Sequence, residues 1–156
     1  MKALIALMLM TVSTMAAEAW WTKIDVAPVA VLQTKDINGA SQFGAGVDLG
    51  LRVNPWVSVR VVNLAYEQED WGGSVIDETD LLVRADITAL KYNSFTPYFI
   101  GGGLYEYETK NFGMSAGLGG QFNFSKNVGI GADYSIQFME EGSKRSLAKA
   151  YLKFSF

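Results

Sequence analysis

Apolar and polar residues alternate with a period of two along most of this chain. Such a period is typical of β-strands, because successive side chains of a strand point to opposite faces. No amphipathic helical period competes with it after the first twenty residues. The pattern predicts eight strands: 21–33, 41–53, 56–67, 75–90, 95–108, 112–124, 128–139 and 146–156.

The alternation is clearest in segment 41–53. Its odd-numbered positions from 43 to 53 are apolar, whereas its even-numbered positions from 42 to 52 hold Gln, Gly, Asp and Arg. The third segment is less regular, since Val57, Val59 and Val61 share one face while Leu64 and Tyr66 lie on the other. This change of phase predicts a β-bulge near residues 61–62. In segments 21–33 and 95–108 the pattern does not distinguish the polar face from the apolar face.

The links between segments predict how the strands are connected. Turn residues occupy 54–55, 92–94 and 125–127, and links at 34–40, 68–74, 109–111 and 140–145 alternate with them. Short turns on one side and longer loops on the other are typical of a membrane β-barrel. An even number of antiparallel strands then puts both termini on the short-turn side.

The polar face decides which side of such a barrel is wet. Eight glycines lie on it, at positions 44, 46, 50, 113, 117, 119, 129 and 131. Five acidic and five basic residues lie there too: Asp48, Arg52, Arg60, Asp80, Arg84, Asp86, Glu106, Asp133, Lys149 and Lys153. A narrow lumen needs small residues beside long Arg and Lys side chains, whereas a water-facing surface does not. The pattern therefore favours a polar lumen and a lipid-facing exterior over a soluble barrel.

The balanced charges predict a lumen closed by salt bridges, since charges in a narrow interior are tolerated when paired. Strand order suggests three ion pairs between neighbouring strands: Asp48 with Arg60, Asp133 with Lys153, and, diagonally, Arg84 with Glu106. The alternative is a small channel for ions or solutes, which the many glycines would permit.

Aromatic residues collect near both ends of the predicted strands, as in the aromatic girdles of membrane barrels. The short-turn side holds Trp20, Trp21, Trp56, Phe95, Phe122, Phe124, Phe154 and Phe156. The other side holds Tyr66, Trp71, Tyr105, Tyr107, Phe112 and Phe138. Mid-strand positions are mostly Val, Leu, Ile, Ala and Gly.

The N-terminus predicts export. Lys2 precedes an uncharged apolar stretch at 3–10, and residues 17–19 read Ala-Glu-Ala, the pattern of a signal-peptide cleavage site. We expect residues 1–19 to be a signal peptide and 20–156 the mature barrel. An N-terminal anchor helix is the weaker alternative, because the apolar stretch is shorter than the ~20 residues that span a bilayer.

Composition excludes several kinds of site. The chain has no Cys and no His, which removes disulfides, thiol nucleophiles and His-based catalytic or metal sites. A net charge of -3 argues against a nucleic-acid partner. We therefore expect no catalytic, cofactor-binding or metal-ligating residues. Segment 67–78 carries five carboxylates, Glu67, Glu69, Asp70, Asp77 and Glu78, and is predicted to be a solvated loop, with a divalent-cation site bridging to lipopolysaccharide as the weaker alternative.

The run Thr96-Pro97-Tyr98-Phe99-Ile100-Gly101-Gly102-Gly103-Leu104 and the last strand, ending Tyr151-Leu152-Lys153-Phe154-Ser155-Phe156, carry a more specific likeness. With the eight segments and the signal peptide, they make the chain resemble the small OmpA/OmpX-type outer-membrane β-barrel family. The predicted fold class is thus all-β, an eight-stranded antiparallel up-and-down transmembrane β-barrel.

That resemblance implies a non-catalytic protein of a Gram-negative-type outer membrane, serving envelope integrity or surface interaction. Its implied partners are outer-membrane lipid, lipopolysaccharide, the outer-membrane assembly machinery and an unidentified host or surface ligand. Leu152, Phe154 and Phe156 match the C-terminal signal that such barrels present to that machinery. A barrel enzyme acting on lipid is disfavoured because the chain lacks a histidine base. A soluble periplasmic lipid-binding barrel is a further alternative to the membrane protein.

Overall fold

The computed structural model describes residues 23–35, 41–66 and 76–156, which form a closed barrel. Each strand pairs antiparallel with its neighbours in sequence, and β1 pairs with β8 to close the sheet. The predicted all-β, eight-stranded, up-and-down antiparallel barrel is confirmed. The strands are β1 (Ile24–Lys35), β2 (Ser41–Arg52), β3 (Val57–Tyr66), β4 (Glu78–Asp86), β5 (Phe95–Glu106), β6 (Asn111–Asn123), β7 (Val128–Met139) and β8 (Lys144–Ser155).

The two ends of the barrel differ in their connections. We call the end with connections 53–56, 87–94 and 124–127 the turn end, and the opposite end the loop end; β1 starts and β8 finishes at the turn end. At the loop end the connection 67–77 has eleven residues, whereas 107–110 and 140–143 have four each; residues 36–40, which link β1 to β2, lie outside the described part of the chain. The expected contrast between short turns and longer loops is therefore weaker than predicted.

Strand β4 is shorter than the sequence pattern predicts. It ends at Asp86 instead of residue 90, because Thr88–Leu90 form a 3-10 turn in which the Leu90 amide donates to the Ile87 carbonyl at 3.0 Å. Tyr92 and Phe95 then bridge to each other, so the predicted tight turn at 92–94 is the last part of an eight-residue connection. Apolar residues in this connection mimic a strand in the sequence.

The predicted bulge in β3 is wrong. The register between β2 and β3 is continuous from the Gly44–Tyr66 pair to the Arg52–Ser58 pair. Leu64 and Tyr66 point into the barrel, while Val57, Val59 and Val61 alternate outward. The change of phase in the sequence arises because the lumen itself contains apolar side chains.

The outer surface of the barrel is apolar along the middle of every strand. On β6 the outward side chains Met114, Leu118 and Phe122 are 70%, 56% and 44% exposed. Residues of this kind cannot be stabilised by water, and a lipid-facing band of them is what a membrane barrel requires. In the described parts of the chain, no helix is long and apolar enough to cross a membrane.

Aromatic side chains frame this apolar surface at both ends. Trp56, Phe95, Phe122, Phe124 and Phe154 point outward near the turn end. Near the loop end, Tyr105 packs against Tyr107 and Phe112 with ring centres 5.1 and 4.7 Å apart. Tyr66 was predicted to belong to this girdle, but it points inward, where its hydroxyl accepts a hydrogen bond from Gln33. Trp20, Trp21 and Trp71 lie outside the described residues.

Candidate functional site: the barrel lumen

The lumen holds the polar residues that the sequence pattern places there. Arg52 and Asp86 are half-buried at the turn end. The other eight predicted lumen residues are buried side chains: Asp48, Arg60, Asp80, Arg84, Glu106, Asp133, Lys149 and Lys153. Alternation in β2, β4 and β6–β8 therefore identifies the inward face correctly.

Four further charged side chains are buried that the pattern did not assign to the lumen: Asp25, Asp77, Glu78 and Arg145. Three of the four are acidic, so the described interior is not the neutral set of five acids and five bases that we expected. Glu78 is one step of the alternation from Asp80, and Arg145 is two steps from Lys149, so following the alternation further towards the loop end would have found both. Asp25 had no such signal, because its segment could not be phased.

Asp77 and Glu78 change the picture of the acidic segment 67–78. The Tyr66 backbone N–H donates to the Asp77 carboxylate at 2.7 Å, and Gln137 donates to Glu78 at 2.6 Å. Both carboxylates thus belong to the barrel, and the segment is not a uniformly solvated loop. Glu67, Glu69 and Asp70 lie outside the described residues; within the rest, no group of three or more carboxylates is arranged to hold a metal ion.

The loop end of the lumen is filled by hydrogen-bonded polar side chains. Arg145 binds Glu106 through two parallel contacts of 2.7 and 3.0 Å. Below them, Gln33 donates to Gln137 at 3.3 Å, and Glu78 accepts from both amides. Bidentate Arg–carboxylate contacts are among the stronger polar interactions in proteins, so this end is held together across β1, β4, β5, β7 and β8.

The middle of the lumen contains the one ion pair that the sequence predicts correctly. Arg60 contacts Asp48 through Nη2 at 2.6 Å and Nε at 3.0 Å, and their side chains are 5% and 4% exposed. The pair joins neighbouring strands β2 and β3. Two buried charges are stable only when such contacts replace the water they lose.

The other two predicted ion pairs are wrong. Asp133 pairs with Lys149 at 3.3 Å, because Lys149 lies directly opposite it in the β7–β8 register, whereas Lys153 lies opposite Gly129. Arg84 pairs with Asp86 at 2.7 Å on its own strand.

Arg84 cannot reach Glu106 because of their positions along the barrel. Glu106 lies opposite Glu78, and Arg84 is six residues further along β4. At ~3.3 Å per residue, that places the two side chains about 20 Å apart along the strand.

A layer of four side chains crosses the lumen between its middle and the turn end. This tyrosine layer consists of Arg84, Tyr98, Gln121 and Tyr151, which come from β4, β5, β6 and β8. The Tyr98 and Tyr151 hydroxyls are 2.8 Å apart, and Arg84 donates to Gln121 at 2.6 Å. The Arg84 guanidinium also lies 3.9 Å from the centre of the Tyr98 ring, a cation–π contact. The sequence pattern assigned no role to these two tyrosines.

Two glycines make room for the tyrosine rings. A Cβ on Gly119 would lie 2.3 Å from Tyr98 Cζ, and a Cβ on Gly131 would lie 2.3 Å from Tyr151 Cζ. We expected inward glycines to leave space for Arg and Lys side chains. At these two positions they instead leave space for flat aromatic rings that lie against the barrel wall.

The lumen also contains an apolar cluster, which the sequence pattern did not predict. Its members are buried side chains on β1, β3, β4, β5 and β8: Ala27, Val29, Val31, Val62, Leu64, Leu82, Tyr98, Ile100, Leu147 and Tyr151. Burial of apolar area stabilises the fold by about 25 cal/mol per Å². The interior of the barrel therefore contains a conventional hydrophobic core beside its polar side chains.

The tyrosine layer gives a first testable prediction. Gly119→Ala should lower the free energy of unfolding by about 1–3 kcal/mol, because the new methyl group overpacks against the Tyr98 ring. The measurement is denaturant unfolding in phosphatidylcholine vesicles followed by far-UV circular dichroism. In a Tyr98→Leu background the same substitution should cost less, since the ring is gone.

Gly103→Ala is the matched control for Gly119→Ala. Gly103 faces outward on β5, and the nearest heavy atom to its added Cβ would be 3.9 Å away. This substitution should leave stability within about 1 kcal/mol of the parent protein. Equal losses for both variants would contradict the assigned ring contact.

Known proteins resemble this chain in structure and not in sequence. No protein-family model matches it, and no curated protein matches it. Neisserial surface protein A (NspA) matches with a TM-score of 0.62 and 12% identity, over 86% of this chain and 96% of that one. The N-terminal β-barrel domain of Pseudomonas aeruginosa OprF matches with a TM-score of 0.55 and 15% identity, over 83% and 97%.

A third natural match is Ail, the attachment invasion locus protein of Yersinia pestis, with a TM-score of 0.51 and 14% identity over 86% of this chain and 97% of that one. A de novo designed transmembrane β-barrel matches comparably, with a TM-score of 0.54. Since a designed barrel is as similar as natural ones, the likeness reports architecture and carries no activity with it. The chain has the fold of the small eight-stranded outer-membrane β-barrels.

Proposed function

We propose that this chain is a non-catalytic integral outer-membrane protein with a closed lumen, serving envelope integrity or surface interaction. The observation that carries the proposal is the tyrosine layer, whose four side chains from four strands meet across the interior. The Asp48–Arg60 and Glu106–Arg145 pairs fill the lumen on the loop side of that layer. A permeating ion would have to separate these contacts, each of which replaces hydration that the buried charges have lost.

Insertion in an outer membrane is supported by the exterior of the barrel. Its apolar band and the two aromatic groups flanking it match the surface that such a bilayer covers. We infer that residues 1–19 are removed as a signal peptide and that 20–156 form the mature protein; the cleavage site lies outside the described residues. The partners of the mature barrel would then be membrane lipid and lipopolysaccharide.

The last strand is suited to recognition by the outer-membrane assembly machinery. Leu152, Phe154 and Phe156 are 39%, 37% and 75% exposed, all on the outer face. An apolar row of this kind is accessible to a partner before lipid covers it. A surface or host ligand would have to bind at the loop end, whose longest connection, 67–77, is mostly outside the described residues.

The absence of histidine and cysteine supports a non-catalytic role. A hydroxyl nucleophile needs an adjacent base to become reactive, and histidine is the commonest one. The chain offers only carboxylates and amines for that purpose, and four of those in the lumen, Asp48, Glu106, Asp133 and Lys149, are engaged in the ion pairs described above.

The closed lumen predicts the absence of steady conductance. Purified protein reconstituted in a planar bilayer should give no reproducible single-channel current, because the tyrosine layer and the Glu106–Arg145 pair both cross the path. Removing both closures, with Tyr98→Ala, Tyr151→Ala and Arg145→Ala, should produce measurable current. Tyr134→Ala, which removes an outward ring on β7 that is 54% exposed, is the matched control and should remain silent.

Steady single-channel current from the unmodified protein would favour the alternative, a small porin-like channel. An ion channel needs a continuous water-filled path and sites that bind ions weakly enough to release them. Current from Tyr134→Ala alone would show that the recordings report membrane damage instead of lumen opening.

A further inference from the structure

A cavity of about 420 Å³ opens at the turn end of the barrel. Arg84 and Gln121 of the tyrosine layer line the cavity on the side that faces the middle of the barrel. We call this cavity the vestibule. Ligand pockets for small molecules typically measure about 300–1,000 Å³, so the vestibule has the size of a binding site.

The vestibule is strongly cationic. Six basic side chains line it: Lys23, Arg52, Arg84, Lys91, Lys126 and Lys153. Only two carboxylates, Asp25 and Asp86, stand against them. The lining therefore carries four more positive than negative charges, in a chain whose overall net charge is -3.

The two carboxylates are too few to balance the cations of the vestibule. Asp86 is engaged by Arg84 at 2.7 Å, and Asp25 accepts a hydrogen bond from the Ser155 hydroxyl at 2.5 Å. Among the described residues, neither Lys153 nor Arg52 forms a salt bridge or a side-chain hydrogen bond. Lys153 and Asp25 line the same cavity without forming a salt bridge.

Lys153 makes the vestibule more than a charged surface. Its side chain is 5% exposed and lines the cavity from β8. A buried ammonium group without a hydrogen-bonded counter-charge is costly, and buried charges in folded proteins are normally paired. An anion that enters from the turn end would supply Lys153 with such a contact.

We propose that the vestibule binds a phosphate group, the chemistry shared by free phosphate and by the head group of an anionic phospholipid. Phosphate carries up to two charges and three or more acceptor oxygens, which suits several amines and the fork of Arg52. Neutral donors at the rim, Asn93 and Asn123, line the same cavity. Phe124 lines it too and is 63% exposed, so the rim adjoins the aromatic girdle, where lipid head groups lie.

The test is isothermal titration calorimetry of the refolded barrel in octyl glucoside micelles, at constant ionic strength set with chloride. One arm uses inorganic phosphate, and the other uses dihexanoyl phosphatidylglycerol. We expect saturable binding of one anion per chain in at least one arm. Lys153→Gln combined with Arg52→Gln should weaken it by about tenfold or more, since two cations are lost.

Lys144→Gln is the matched control, because Lys144 is an exposed lysine at the loop end, outside the vestibule. It should leave the affinity unchanged. Lys91→Gln with Lys126→Gln, both at the exposed rim, serves as a second double variant if the buried one does not fold, as judged by heat-modifiable migration on gels, and it should also weaken binding.

Binding of phosphatidylglycerol alone assigns the site to a lipid head group, and binding of both ligands assigns it to phosphate in general. Absence of saturable heat in both arms overturns the proposal. So does an equal loss of affinity in Lys144→Gln, which would mean that micelle-wide charge attracts the ligand. The closed lumen is tested separately by conductance, so either idea can fail alone.

Discussion

Arg60→Met should lower the free energy of unfolding by about 3–5 kcal/mol, because it leaves the Asp48 carboxylate buried without its partner. Asp48 is 3% exposed, and its two oxygens are held by Arg60 Nε and Nη2. Methionine fills much of the space of the arginine stem, so the loss should report charge and not a cavity. Equilibrium unfolding by guanidinium in phosphatidylcholine vesicles, followed by circular dichroism, measures it.

Replacing both partners distinguishes the contribution of the ion pair to stability from the cost of leaving one charge buried alone. Asp48→Leu with Arg60→Met should recover most of the lost stability, since a buried ion pair can be replaced by apolar residues at little or no cost. Lys126→Met, an exposed cation in the 124–127 connection, is the control and should change stability by less than about 0.5 kcal/mol. Equal effects of Arg60→Met and Lys126→Met would show that the Asp48 site is hydrated and the pair unimportant.

Strand number, order and facing could be predicted from the sequence wherever the inward residues are polar or glycine. In β2 the even positions from Gln42 to Arg52 give one unbroken signal, and β6, β7 and β8 behave alike. In β1 and β3 both faces carry apolar residues, since Val29, Val62 and Leu64 fill the lumen. The two faces then show no contrast in hydrophobicity, which is why segment 21–33, one of the two unphased segments, could not be phased and why the third segment suggested a bulge.

Ion-pair partners were harder to predict than facing. Asp48 and Arg60 lie on consecutive strands near the same turn, so their sequence spacing almost fixes their height. Arg145 and Glu106 come from β8 and β5 and meet only because the barrel closes and their strands are staggered. Nothing in local spacing encodes that stagger, which depends on the tilt of all eight strands together.

The tyrosine layer is a second feature that depends on how strands align with one another and that the sequence pattern did not predict. Tyr98 and Tyr151 occupy inward-facing positions of their strands. In the sequence alone, however, an inward aromatic residue near a strand end is hard to distinguish from an outward one of the girdle at the neighbouring position. Their role emerges from Gly119 and Gly131 on the adjacent strands, which the register places beside the two rings. An inward tyrosine opposite an inward glycine on the next strand thus indicates a packed ring. This indication depends on the register between two strands, which the periodicity of a single strand does not contain.

Leu118→Arg should destabilise the protein in vesicles by about 2–4 kcal/mol, the cost of an arginine at the bilayer midplane on a barrel's lipid face. Leu118 lies near the middle of β6, points outward and is 56% exposed. Denaturant unfolding in phosphatidylcholine vesicles measures the cost. A soluble barrel would expose the same position to water, where an added arginine is nearly neutral.

Met114→Arg is the matched control for depth. Met114 shares strand and face with Leu118 but lies four residues closer to the loop end. With ~3.3 Å per residue and a strand tilt near 45°, that is about 10 Å nearer the interface. The same substitution there should cost about 0–1 kcal/mol, because the guanidinium can reach the head groups. A depth-dependent pair of values requires a bilayer around the barrel, whereas two equally small values would return the chain to the soluble alternative and remove the basis for a membrane role.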